Sequence, residues 1–367
     1  MKELLLRAYD EAASEKKVSL DANVSDSLVK IVRNETNKAP VRFLLSGLLA
    51  KSYDPKNNLK RPYRSHDKGA FSCRSVDESV VQPLIFEKDL PCNRTTAFLT
   101  PAFRTISKDI DELTFMKCRP HELYEHLLEV IDYIEAHPSE AWPALVFVIR
   151  ELLHLKSEQE QRQEQLVKAI KISTGDLPPS SEEIVRLISL HLQCNNSSRL
   201  PVLVVSAAYD AVASFFGEQR RPLYAHNAAD KQTGAHGDIE ITLINDESIV
   251  TCYEMKDKRV TVNDVFLCME KIAKAKFAID NYIIVTTELI SPEVMDVAKK
   301  AYRQIGVEIA VLDCIGFIRH FLHFFHRFRG RYIDCYQNLV LSDSAVKQSL
   351  KEIFLTLRLS LNSDSQD

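Results

Sequence analysis

The sequence predicts an α/β chain, α+β overall, in which a mainly helical first half is followed by a mixed β-sheet. Three observations carry this. In the first half, apolar residues recur at helical spacing, as at Leu123, Leu127, Val130, Ile131 and Ile134. Between Gly237 and Lys256, two β-branched runs flank a turn. From Thr261 to Leu312, helical and strand patterns alternate, which implies a parallel part to the sheet.

Taken in order, residues 1–52 read as helices, with stripes through Leu4, Leu5 and Ala8, then Leu28, Ile31 and Val32. Asp26 or Ser25 is the expected cap of the second helix, and a third is expected over Val41–Lys51. Residues 53–75 change character. Lys56, Lys60, Arg61, Arg64, Lys68 and Arg74 gather there with Asn57, Asn58, Tyr63 and His66, and acids are few. Residues 107–170 read as helical again. One apolar helix runs from Trp142 to Leu155, and a Glu- and Gln-rich, solvated one from Lys156 to Lys171. The linker Ser173–Ser181 sets the expected domain boundary, giving units 1–175 and 176–367.

Beyond the linker, helices are expected over Glu182–Cys194 and Pro201–Gly217, and a first strand over Tyr224–Ala229. After the hairpin come a helix from Thr261 to Lys276, a strand from Asn281, a helix opened by Ser291-Pro292 and stopped at Gly306, and a strand over Val307–Leu312. Cys314–Ile333 contains no acid and interleaves Arg and His with Phe and Tyr, suiting DNA phosphates or a subunit contact. Its His320, His323 and His326 step by three, rotating by about −60° each time, which does not suit one shared metal. A last amphipathic helix is expected over Ser342–Leu361.

The hairpin carries the chemistry. Asn245-Asp246-Glu247 is turn-forming, and a turn centred on Asp246 sets Asp238 across from Glu254 and His236 across from Lys256. Alternation then projects Asp238, Glu240, Glu254 and Lys256 to one side, and Ile239, Ile241, Leu243 and Met255 into a core. Opposed Cβ atoms are about 5 Å apart, so two such carboxylates can share one hard cation. Mg²⁺ held by Asp238, Glu254 and the Met255 carbonyl, with Lys256 beside it, suits phosphodiester hydrolysis. Glu-x-Lys alone is a weak signal. Asp/Glu-x-Lys also occurs at Glu15–Lys17 and Asp54–Lys56, and the alternative reading is an outer face of ordinary ion pairs.

An acid on one strand and Glu-x-Lys on the next resembles the PD-(D/E)xK nucleases, with Gly237 where their Pro stands. The wider blocks Tyr224–Gly234, Gly237–Leu243, Tyr253–Lys256, Phe71–Glu78 and Leu90–Ala102 resemble the SacI-type family of type II restriction endonucleases. The resemblance implies a mixed-sheet PD-(D/E)xK core and a Mg²⁺-dependent homodimer. It also implies a cognate DNA methyltransferase as genetic partner, and double-stranded DNA cut at a short palindrome, GAGCTC-like by the family's name. It carries over Asp238, Glu254 and Lys256 as the catalytic set, and an additional acid from Glu240, Glu218 or Asp210. Candidate DNA contacts are Arg61, Arg64, Arg74, Asn93, Arg94, Lys231, Gln232, Lys258 and Arg259; each is also readable as ordinary surface. The alternatives are a structure-selective or repair nuclease of that superfamily, or a non-catalytic DNA-binding module.

Composition bounds the rest. The net charge of −4 requires a DNA reader to segregate its basic residues. The 8 cysteines form no Cys-x-x-Cys and read as reduced thiols rather than zinc ligands. With 9 glycines there is no dinucleotide loop, and Gly47-x-x-x-Lys51-Ser52 lacks the first glycine of a P-loop. No membrane-spanning run and no signal-peptide pattern is read, so the expected location is cytoplasmic.

Overall fold

The computed structural model describes residues 1–14, 18–63, 66–173, 178–223, 236–275 and 279–363. The chain divides into two compact units, Met1–Gln161 and Arg162–Asp367. The division falls inside a helix, ahead of the Ser173–Ser181 stretch expected to be the boundary; residues 174–177 of that stretch lie outside the described residues.

The first unit holds α1 (Lys2–Ala13), α2 (Ala22–Arg33), α3 (Ala39–Tyr53), α4 (Cys73–Val76), α5 (Gln82–Lys88), α6 (His121–Ala136) and the start of α7 (Ala141–Ser173). Every residue of α3 from Ala39 to Lys51 is buried, because that helix is apolar nearly all round and the others pack about it. Asp21 caps α2, not Asp26 or Ser25: its carboxylate accepts from the Asn23 and Val24 amides. Asp26 sits within the helix and pairs with Lys30. Residues 107–120 are turns rather than helix. There Asp111 and Thr114 exchange side-chain and backbone hydrogen bonds that compete with helix formation. The two helices expected over 142–171 are one, since neither Gly nor Pro interrupts α7 after Pro143.

The second unit is built on a mixed sheet of five strands, β1 (Glu218–Arg220), β2 (Ile239–Leu243), β3 (Asp246–Lys256), β4 (Asn281–Thr286) and β5 (Glu308–Asp313), in that spatial order. β1–β2 and β2–β3 are antiparallel; β3–β4 and β4–β5 are parallel. The helices are α8 (Ser181–Leu192), α9 (Leu200–Phe216), α10 (Val262–Lys274), α11 (Pro292–Ile305), α12 (Cys314–Phe324), α13 (Arg329–Ser342) and α14 (Gln348–Ser363). Ile239, Ile241, Tyr253 and Val285 face α8, α9 and α12–α14. Cys252, Tyr282 and Ile284 face α10 and α11. Both faces are thus covered, as parallel strands require.

Several expectations are corrected. The described sheet opens with β1, and the Tyr224–Ala229 stretch lies outside the described residues. The hairpin turns at Ile244-Asn245, before Asp246. Two irregularities, at Ile241/Thr242 and Thr242/Leu243, restore the expected register, so that Ile239 pairs with Tyr253 and Glu240 with Cys252. Leu243, at the hairpin tip, is exposed rather than in the core. The acid-free segment is two helices joined by a 3₁₀ turn at His326–Phe328, and the last helix starts at Gln348. Glu182 pairs with both Arg319 and His323 of that segment. Ser197–Phe216 is long and apolar enough to cross a membrane, which the sequence reading overlooked; it is mostly buried among the unit's own side chains.

Candidate active site

Asp238 lies just ahead of β2, beside the carboxyl end of β3, the usual place for a ligand on a sheet with parallel strands. Its amide donates to the Tyr253 carbonyl at 2.7 Å, and its Oδ2 accepts from the Met255 amide at 2.7 Å. Asp238 therefore brackets Glu254 from both sides. Gly237 makes this approach possible: a Cβ there would stand 2.6 Å from the Tyr253 carbonyl oxygen. The ladder stops at Ile239–Tyr253 and does not run on to pair His236 with Lys256. The His236 amide donates instead to Glu240 Oε1.

Glu254 and Lys256 share the sheet face that Cys252, Tyr282 and Ile284 occupy. Lys256 Nζ donates to Glu254 Oε1 at 3.0 Å and lies 3.8 Å from Asp264. Lys271 Nζ donates to Glu254 Oε2 at 3.0 Å. The Tyr282 hydroxyl stands between two acceptors, the His236 carbonyl at 2.8 Å and Glu254 Oε2 at 3.2 Å, and its single hydrogen serves one at a time. Asp264 is anchored by a capping box with Thr261 at the start of α10.

The electrostatics follow from this packing. Asp238 reaches solvent, yet its dense surroundings desolvate the carboxyl and raise its pKa. The Met255 amide lowers it, and the Glu254 charge raises it further. Burial works against the Lys256 ammonium, but Glu254 and Asp264 outweigh it and hold the pKa up. Desolvation likewise opposes the Asp264 charge, and the Thr261 hydrogen bonds with Lys256 overcome it. Among the described residues, three carboxylates, Asp238, Glu254 and Asp264, face two ammoniums, Lys256 and Lys271, a surplus of one negative charge in that set.

That surplus favours a cation, and a divalent one would have to compete with the lysines on Glu254. Oxygens of Asp238 and Glu254 are hard donors, and the Met255 carbonyl points to the side of the strand on which its amide meets Asp238. Among the described residues no group of three or more His, Cys, Asp or Glu side chains is placed to hold a metal. Any such ion would therefore rest on two carboxylates and main chain.

Of the other candidate acids, Glu240 flanks this cluster, and Glu218 and Asp210 make their contacts elsewhere. Glu240 is buried on the same face, where it accepts from Arg221 at 3.4 Å as well as from His236. Glu218 pairs with Leu243 at the hairpin tip, about 17 Å along the strand from Asp238 at ~3.4 Å per residue. Asp210 is held by Arg220 Nε and Nη2 at 3.1 and 2.9 Å, and lines an ~530 Å³ open cavity beside α13.

Of the candidate DNA contacts, Lys258 and Arg259 are exposed directly after β3. Arg61 is engaged by Asp109 and by the Lys68 carbonyl, Arg74 by Glu78, and Arg94 by Asp89. The Asn93 carbonyl accepts from Arg42 at 2.6 Å. Arg64, Lys231 and Gln232 lie outside the described residues.

The sequence reading missed Lys271, Tyr282 and Asp264. A signal for Lys271 existed: it follows Asp264 and Cys268 at i, i+4, i+7 on the buried stripe of α10, where a lysine needs an anion.

No protein-family model matches this chain, and no curated protein matches it.

Proposed function

We propose that this protein is a Mg²⁺-dependent type II restriction endonuclease with a PD-(D/E)xK core, hydrolysing double-stranded DNA at a short palindrome. One observation carries the reading: Asp238, Glu254 and Lys256 converge beside the carboxyl end of β3, with a surplus negative charge. The mixed sheet with a helix leading into it and a β3–α10–β4 crossover agrees with such a core.

A magnesium ion on Asp238, Glu254 and the Met255 carbonyl would neutralise phosphoryl charge and supply a water of lowered pKa. The chain's own groups do the rest. The Met255 amide and Gly237 hold the Asp238 carboxylate against β3. Tyr282 stands within hydrogen-bond reach of one oxygen of Glu254, sharing its hydrogen with the His236 carbonyl. Lys256, kept charged by Glu254 and Asp264, presents an ammonium to the attacking water or the developing negative charge. Lys258 and Arg259 are the nearest exposed cations in sequence for flanking phosphates. Two such sites related by a two-fold would cut both strands, hence a homodimer, with a DNA methyltransferase protecting the host's own sites.

The test is incubation of plasmid and genomic DNA with the protein and Mg²⁺. Discrete fragments with one common end sequence are expected; smears or branch-specific cuts would indicate the structure-selective alternative, and intact DNA a binding module. Asp238→Ala and Lys256→Ala should each lower cleavage by about 10³-fold, with DNA binding in Ca²⁺ retained.

A further inference from the structure

The contacts around Glu254 carry a consequence for how the site is loaded. We infer that Lys271 is a resident counter-ion of Glu254 which a divalent cation must displace, so that metal binding here is an exchange of cations. This rests on the nuclease reading above.

Both oxygens of Glu254 are taken by ammonium groups, Lys256 on Oε1 and Lys271 on Oε2, each at 3.0 Å. A magnesium ion sits about 2.1 Å from its carboxylate ligands. An ammonium already 3.0 Å from the same oxygen then faces the ion at short range, where like charges repel strongly in a half-buried site. One lysine has to yield. Lys256 is held on β3 itself, two residues from Glu254, and stays beside the metal position. Lys271 reaches Glu254 from α10, on a four-carbon arm that can swing without moving the sheet.

A DNA phosphate offers the displaced ammonium a new anion. DNA and metal would thus favour one another's binding: phosphate draws Lys271 away and frees Glu254, and the metal frees Lys271 for phosphate. The protein without DNA would hold metal weakly.

The experiment measures Mn²⁺ affinity by electron paramagnetic resonance on the full chain without DNA, comparing wild type, Lys271→Met and Lys271→Gln, with circular dichroism as a check on folding. About tenfold tighter binding in both variants is expected, because a competitor and a repelling charge are removed together. Were Lys271 only a prop that holds Glu254 in place, its loss would weaken binding; equal or weaker affinity therefore overturns the inference and leaves the nuclease reading standing. Absence of Mn²⁺ binding in all three proteins also overturns the inference, whereas the nuclease reading falls only if DNA stays intact in the cleavage assay. A second measurement needs no variant. Amine labelling of Lys271, followed by mass spectrometry, should rise several-fold when Ca²⁺ is added to the native protein. Unchanged or reduced labelling counts against displacement.

Discussion

Each unit contains a carboxylate gripped by cations, and the two clusters are built on opposite plans. In the first unit, Arg42 and Asp77 are both 0% exposed. Arg42 Nε and Nη2 meet Asp77 Oδ1 and Oδ2 at 2.8 and 2.7 Å, and Ser46 and Thr96 complete the carboxylate's partners. Nη1 donates to the Asn93 carbonyl, and Nη2 also meets Gln82 Oε1 at 3.4 Å. One charge meets one charge, and no water is needed. In the second unit, Glu254 and Lys256 remain partly open to solvent, and acids outnumber bases by one around Asp238. A matched, dry pair holds structure; an unmatched, wet one is poised for an ion or a phosphate.

Substitutions test that contrast, beginning with the largest effect. Asp77→Ala leaves a fully buried guanidinium uncompensated and should cost about 3–5 kcal/mol in chemical denaturation. Arg42→Met with Asp77→Leu should recover part of that loss, since replacing both partners removes the orphaned charge. Gly237→Ala attacks the other cluster through its backbone. The added Cβ forces Asp238 away from β3, and cleavage should fall by about 10² with the fold intact by circular dichroism. Lys256→Ala, for all its expected effect on cleavage, should cost clearly less unfolding free energy than Asp77→Ala, because Lys271 remains on Glu254 and Thr261 on Asp264. A loss as large as that of Asp77→Ala would erase the distinction between the clusters.

The smallest effect has a definite sign. Desolvation raises the Asp238 pKa in the folded state, so the folded protein binds that proton more tightly than the unfolded chain does. Stability is therefore lost as pH rises from the ordinary Asp range through the folded value. Asp238→Asn keeps an acceptor for the Met255 amide and removes the penalty. Its melting temperature should exceed that of wild type at neutral pH and converge with it below about pH 4. Saturating Mg²⁺ should narrow the gap by stabilising wild type alone.

Much of the second unit was legible because its signals are local. Pro292 and Gly306 mark the ends of α11, and the apolar runs of β4 and β5 admit little but buried strands. The register of the rungs beside the acids, Ile239–Tyr253 and Glu240–Cys252, was also legible, although the turn proposed for it was displaced, because alternation constrains which face each residue takes. What escaped was long-range. Lys271 and Tyr282 join Glu254 from 17 and 28 residues away, and no spacing rule in the hairpin points to them. In the first unit, no spacing rule joins Asp77 to Arg42, 35 residues away. Only the closing of the π turn at Asp77–Val81 onto α3 buries them together.

The two irregularities in the hairpin separate its tip, which β1 holds through Glu218–Leu243 and the Gly217 carbonyl, from the regular rungs at its base. A residue added at Ile244-Asn245 would lengthen a part of the ribbon that already departs from regular pairing, while the rungs from Ile241–Thr251 to Ile239–Tyr253 keep their partners. That tip is thus a place to graft a short tag or fluorophore without disturbing the chemistry at the other end.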